Sequence, residues 1–151
     1  EQSMDEIGLA TDIIHALWTL HGRGALDGQN RDALRAVIGA LRHPSAGVRR
    51  NALLVLPRNE EVILPILQSS VLRDKNPQVK LAALLTLADL PPSLEAANAV
   101  REALASEEVR SDRWLKDAAT SAAAKHDAAF LKGVLTNKDE KLQTPPVEVL
   151  S

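Results

Sequence analysis

The feature that most constrains the fold of this chain is a helical pattern that recurs at a nearly constant interval. The segment Val48–Leu56 aligns with Val79–Leu87 at an offset of 31 residues. Weaker copies begin at Leu115 and at Asp12, each 36 residues from the neighbouring copy. One helix pair of this length cannot bury its apolar face alone, so neighbouring units must stack. The repeat therefore predicts an α-solenoid.

Apolar residues recur at helical spacing along most of the chain, whereas alternating strand patterns are nearly absent. Apolar residues that would share one face of a helix occur in the segments 13–20, 34–41, 48–56, 62–67, 79–87, 100–104, 115–122 and 130–135. The pattern predicts an all-α chain of about eight helices, each about 12–17 residues long.

Residues that start helices lie between these segments. The candidate N-caps are Asn30, Asn59, Asn76, Ser93 and Ser111. Asn76 precedes Pro77, and proline is favoured at the first helical position because its missing N–H is not needed there. His43-Pro44-Ser45 marks an equivalent break, and Gly22-Arg23-Gly24 is typical of a helix end followed by a turn.

The composition argues against several classes of function. The 151 residues include no cysteine, which excludes disulfides, thiolate metal sites and thiol nucleophiles. The net charge of −2 argues against a nucleic-acid partner. No apolar run is long enough to span a membrane. His15 and His21 are six residues apart, which is not the spacing of a helical metal site, and no Gly-x-Ser-x-Gly nucleophile motif occurs. We therefore expect no catalytic residue, no metal and no cofactor.

Two central units resemble the HEAT repeat. The stretch Asp74–Lys80, followed by Ala83, Leu84 and Leu87, resembles the HEAT signature, and His43-Pro44 with Val48-Arg49 and Ala52-Leu53 resembles the phycobilisome-lyase-like HEAT form. The resemblance covers about residues 7–137. It implies a right-handed α-solenoid of about four HEAT-like helical hairpins in a domain spanning 1–137. Residues 138–151, charged and then proline-rich, are expected to form a linker or tail.

The HEAT resemblance also implies a ladder of charged residues between repeats. In the family an Asp and a basic residue pair between successive units. Asp74 and Lys80 match this motif, while Arg49 matches only its basic half. The resemblance therefore implies a short interrepeat ladder formed by Asp74, Lys80 and Arg49.

A narrower resemblance concerns the segment His15–Gly22 and the following Gly24–Asp27. It is similar to the HEAT segment of large bacterial proteins that combine a dehydrogenase-like β-propeller, HEAT repeats and a c-type haem domain. This resemblance implies that the chain is a segment of such a protein, exported to the periplasm. Any redox chemistry of the parent protein would then lie outside these residues.

The repeat alignment also places equivalent side chains in a row on one face of the stack. The row is Trp18, Leu54, Leu85 and Ser121, flanked by His15, Arg50, Asn51 and Leu81. Two interpretations remain open at this point. Curvature of the stack buries the row, or the row lines a docking groove for another protein or for an adjacent domain of the same polypeptide.

The function expected from the sequence is that of a non-catalytic protein-interaction or scaffold module. The alternative is a HEAT-like enzyme of the bilin lyase or DNA glycosylase type. Trp114 and Asp117 resemble the aromatic residue and aspartate of HEAT-like glycosylases, but acidic residues are interleaved with the nearby basic ones. The sequence leaves the oligomeric state open.

Overall fold

The computed structural model describes residues 10–28 and 30–142, with side chains described up to residue 128. Every regular element among these residues is helical, so the predicted all-α class is confirmed. The α-helices are α1 (Thr11–Gly22), α2 (Arg31–Ala40), α3 (Ala46–Val55), α4 (Ile63–Gln68), α5 (Pro77–Asp89), α6 (Leu94–Ala105), α7 (Glu107–Ser111) and α8 (Arg113–Leu142). Short 3-10 turns cover Glu60–Val62 and Val71–Arg73.

Several helix lengths differ from the predicted 12–17 residues. Helix α4 has six residues and α7 has five, whereas α8 has 30. Helix α4 ends just before Ser70, whose φ of 66° is left-handed and cannot continue an α-helix. Helix α8 contains the apolar segment 130–135, which the periodicity had suggested as a separate helix. It continues to Leu142, into the segment 138–151 expected as a linker; residues 143–151 lie outside the described residues.

The candidate N-caps act as predicted with one exception, and Ser106, which was not among the candidates, caps α7. The side chains of Asn30, Ser45, Asn76 and Ser93 each accept a hydrogen bond from a backbone N–H in the first turn that follows. Asn59 caps the 3-10 turn at Glu60–Val62 in the same way. These bonds satisfy backbone donors that have no partner within the helix.

The expected cap at Ser111 is wrong. The carboxylate of Asp112 accepts from the N–H groups of Trp114 and Leu115, at 2.8 and 3.0 Å. The Ser111 hydroxyl instead donates to the carbonyl of Glu108 in the preceding helix. An ionised carboxylate is an effective cap because the helix dipole adds to its hydrogen bonds.

The four copies of the repeated pattern lie on helices that contact one another in sequence order. Helix α1 contacts α3, α3 contacts α5, and α5 contacts α8, while α2 packs on α3 and α6 packs on α8. The equivalent alanines Ala52 and Ala83 are fully buried, as are Val48 and Val79 one turn earlier. The small alanine side chains allow close approach of the helices that carry them, and α3 and α5 are in contact.

Candidate functional site

Three of the largest exposed apolar side chains lie on α1, α5 and α8. Trp18 is 43% exposed, Leu85 48% and Trp114 67%. Trp114 is seven residues before Ser121 on α8, so the two share one side of that helix. We call the apolar set Trp18, Leu54, Leu81, Leu85 and Trp114 the tryptophan face.

The structure shows how far each side chain of the repeat row is buried. Leu54 and Leu81 are half-buried, whereas Trp18, Leu85 and Ser121 are exposed. The interpretation that curvature buries the whole row is therefore wrong for Trp18 and Leu85. On α3 and α5 the core positions Ala52 and Ala83 are fully buried, and the row positions lie two residues further on, rotated by about 200° around the helix axis.

Trp18 is held in one orientation by a contact between helices. Its indole N–H donates to the side-chain oxygen of Asn51 on α3 at 2.8 Å. The amide of Asn51 in turn donates to the carbonyl of Gly47, also at 2.8 Å. The His21 ring lies edge-on to the indole, with 5.6 Å between the ring centroids. These contacts fix the indole while leaving part of its surface accessible.

Polar side chains lie beside several residues of the tryptophan face on the same helices. His15 and Arg50 are exposed beside it on α1 and α3. On α8 the Arg113 guanidinium lies 5.7 Å from the Trp114 ring centroid and 3.9 Å from the Asp117 carboxylate. An apolar centre with a polar rim is the usual composition of a protein interface.

The first predicted ladder residue, Arg49, joins two segments that are distant in sequence. Its guanidinium forms two bonds to the carboxylate of Asp74, at 2.6 and 2.8 Å. A third nitrogen donates to the carbonyls of His43 and Pro44, at 2.8 and 2.7 Å. Bidentate arginine–carboxylate pairs are among the strongest hydrogen-bonded contacts in proteins. Arg49 thus ties the loop before α3 to the start of α5.

Lys80 pairs with a residue that the sequence did not identify. Its ammonium forms an ion pair with Glu108 on α7, so Asp74 is paired with Arg49 and not with Lys80. The acidic partner comes from the five-residue helix α7, which lies outside the aligned repeat segments, so the alignment had no equivalent position to indicate it.

The environment of Asp74 changes its acidity. Partial burial by itself raises the pKa of this carboxyl, because it disfavours the charged form. The hydrogen bond from Arg49, the N–H of Asn76 at 2.9 Å, and the charges of Arg49 and Lys80 together outweigh that effect. The pKa of Asp74 is therefore held below its ordinary value.

His126 is a fully buried residue with a structural role. Its Nδ1 accepts from the backbone N–H of Ser93 at 3.1 Å, which assigns the proton to Nε2. Nε2–H then donates to the carbonyl of Leu87 at 2.8 Å. His126 thereby connects α8 to the end of α5 and to the N-cap of α6.

The described residues contain no group of three histidine, aspartate or glutamate side chains arranged to hold a metal ion. Within the same part of the chain, no helix has both the length and the apolar character needed to cross a membrane. Comparison of the sequence and the structure with protein-family models, curated proteins and solved structures finds no match.

Proposed function

We propose that this chain is a non-catalytic protein-interaction or scaffold module. In this proposal it is a HEAT-like, right-handed α-solenoid segment of a larger bacterial multidomain protein. The tryptophan face is the docking surface, and its partner is another protein or an adjacent domain of the same polypeptide.

The observation that carries the proposal is the exposure of both tryptophans. The chain has three aromatic residues in total, so its core is built almost entirely from aliphatic side chains. Trp18 and Trp114 are nevertheless at the surface, although tryptophan is on average a highly buried residue. Exposed apolar groups that share a face with aromatic residues are typical of interfaces, where tryptophan is enriched among the residues that dominate binding.

The fixed orientation of Trp18 supports the same function. A side chain that is already ordered loses little conformational entropy when a partner binds. The Asn51 hydrogen bond and the His21 ring contact hold the indole in place before binding. Trp18 is therefore the expected anchor of the docking surface.

Two further observations support the HEAT-like part of the proposal. Helices that carry equivalent sequence segments contact one another in chain order. The Arg49–Asp74 and Lys80–Glu108 pairs each join one unit to the next, as the HEAT resemblance implies for its ladder. Neighbour-to-neighbour contacts of this kind are the basis of repeat architectures.

The proposal is tested by restoring the polypeptide that flanks this segment in its parent protein and measuring association. Trp18→Ala and Leu85→Ala should each weaken binding by about 2 kcal/mol, roughly 30-fold in affinity, as expected for central interface residues. The matched control is Leu64→Ala, because Leu64 on α4 is similarly exposed, at 54%, but is not part of the tryptophan face.

In a Trp114→Phe background, Trp18 fluorescence should shift to shorter wavelength when the partner covers the indole. Equal effects of Trp18→Ala and Leu64→Ala would show that the tryptophan face is not the interface. A parallel titration of the chain with a bilin and with duplex DNA tests the enzyme alternative, because a scaffold module binds neither.

A further inference from the structure

A cleft of about 360 Å³ opens between α4, the turn Val71–Arg73, α5, α6 and α7, and it shares no residue with the tryptophan face. Its apolar lining consists of Leu67, Leu72, Ala99, Ala103 and Val109. The alanines on α6 leave the space that longer side chains would fill. The volume lies at the small end of the range for ligand sites.

A buried ammonium group lines this cleft. Lys80 is 5% exposed, and lysine is almost never buried to this extent unless it is paired. Within the described part of the chain its ion-pair partner is Glu108, an exposed side chain on the five-residue helix α7. An ammonium has three N–H donors, and one carboxylate does not require all of them.

Arg49, the residue equivalent to Lys80 in the repeat alignment, has a different set of partners. Arg49 is bound to both carboxylate oxygens of Asp74 and to two backbone carbonyls. Lys80 has the same position in the repeat but lines a cleft. Its acidic partner, Glu108, is exposed to solvent. An incoming anion therefore has access to the ammonium of Lys80 by displacing one exposed carboxylate.

Two further lining residues form a weak contact. Arg73 and Glu102, both mostly exposed, form an ion pair that joins the turn Val71–Arg73 to α6. Pairs exposed to this degree contribute little to stability, so this contact opens at little cost.

Ser70, also in the lining, has a left-handed φ of 66°. When a residue other than glycine adopts this backbone conformation, it is often at a functional site.

We propose that this cleft binds a small amphipathic carboxylate. The carboxylate of the ligand pairs with Lys80 in place of Glu108, and its hydrocarbon part lies against Leu72, Ala103 and Val109. A singly charged anion fits better than a phosphate, because Glu102 and Glu108 also line the cleft and repel a second negative charge.

Two sources supply this ligand chemistry. One is a free aliphatic carboxylic acid, and the other is the C-terminus of a peptide that ends in an aliphatic residue. Hexanoate is the probe for the first source, and N-acetyl-leucine is the probe for the second. Their neutral counterparts, hexanamide and N-acetyl-leucinamide, keep the hydrocarbon but remove the charge.

The four compounds are titrated into the whole chain, with binding followed by calorimetry and by the backbone amide NMR signals of Ser70, Ala103 and Val109. At least one acid should give saturable shifts at these amides, and its neutral amide should bind at least about tenfold more weakly, the scale expected for loss of a charge-assisted bond. The acid that binds more tightly identifies the source.

Three variants separate a ligand site from a purely structural ion pair. Lys80→Met should weaken binding of the acid at least about tenfold, whereas Lys116→Met, at an exposed lysine, should leave it unchanged. Glu108→Gln should tighten binding, because it removes the competing carboxylate. Ala103→Leu should abolish binding by filling the cleft while both Lys80 and Glu108 remain.

Absence of saturable shifts for both acids would overturn the proposal, as would equal affinities for the acids and their amides. Weaker binding to Glu108→Gln would also overturn it, since the proposal requires the opposite sign. If Lys80→Met does not fold, Glu108→Gln and Ala103→Leu still decide the matter. None of these results depends on the tryptophan face, so the two proposals succeed or fail separately.

Discussion

At the scale of single residues, the Asp74 carboxylate makes a charge-dependent contribution to stability. Its pKa is lower in the folded chain than in the unfolded chain, so its contribution is present at neutral pH. That contribution is lost as the pH falls below the unfolded value of about 4 and through the folded value. We expect Asp74→Asn to lower the free energy of unfolding by about 2–3 kcal/mol at pH 7, because it leaves the Arg49 guanidinium without its charged partner.

Urea denaturation at pH 7 and at acidic pH measures this effect. The difference between the wild-type chain and Asp74→Asn should shrink as the pH falls, since both side chains are then neutral. The matched control is Asp32→Asn, which breaks an exposed pair with Arg35 and should change stability by less than about 1 kcal/mol. A difference for Asp74→Asn that is independent of pH would contradict the electrostatic explanation.

Ser70 provides a second prediction at this scale. Its left-handed φ of 66° places Cβ in an unfavourable position, and glycine has no Cβ. Ser70→Gly should therefore raise the free energy of unfolding by about 0.5–1 kcal/mol in thermal or urea denaturation. Ser69→Gly should act in the opposite direction, because Ser69 has an ordinary helical φ and its hydroxyl donates to the carbonyl of Ile66. Destabilisation by both substitutions would contradict the strain at Ser70.

The residues that the sequence identified and those that it missed differ in a physical way. Trp18 and Leu85, which are exposed in the structure, were singled out because repeat alignment identifies equivalent positions on successive helices. Glu108 and His126 were missed as contact residues because their partners are distant in sequence and belong to no repeated segment. Asp112 was missed as a cap because Ser111, another good cap residue, is adjacent to it, and local preference does not separate neighbouring candidates.

At the scale of elements, His126 connects α8 to the end of α5 and the start of α6. We expect His126→Phe to lower the free energy of unfolding by about 2–4 kcal/mol, because the N–H of Ser93 and the carbonyl of Leu87 lose their buried partner while the ring volume is largely kept. Urea denaturation measures the loss. Lys125→Ala, at the exposed residue just before His126, should have little effect, and equal losses for both variants would contradict the role of the ring nitrogens.

The sequence predicted which segments are helical more reliably than it predicted how long each helix is. The apolar period identified a helix in each segment, but the period does not show where a helix ends. Helix α4 is short because the backbone turns at Ser70, a residue without the marked turn preference of glycine. The long α8 contains no proline, so its sequence offers no strong stop signal between Arg113 and Leu142.

At the scale of the whole molecule, stability is expected to be unequal along the chain. Helix α5 has seven buried residues and contacts both α3 and α8. Helix α1 has Leu17 as its one buried residue, has no side-chain cap at its start, and packs mainly on α3. When stability comes from contacts between neighbouring units, an element with fewer such contacts opens more readily.

This asymmetry gives a prediction that native-state hydrogen exchange can check. Amides of α1 should exchange with an opening free energy at least about 2 kcal/mol below that of the α5 amides, within the range that separates local opening from global unfolding. Trp18→Phe removes the bond to Asn51 and should lower the protection of α1 further while leaving α5 unchanged. Equal protection of α1 and α5 would indicate that the two helices open together as one cooperative unit.

Lower protection of α1 has a consequence for binding. The proposed anchor Trp18 then lies on the helix that a partner can stabilise most, because binding shifts the population of an element that opens on its own.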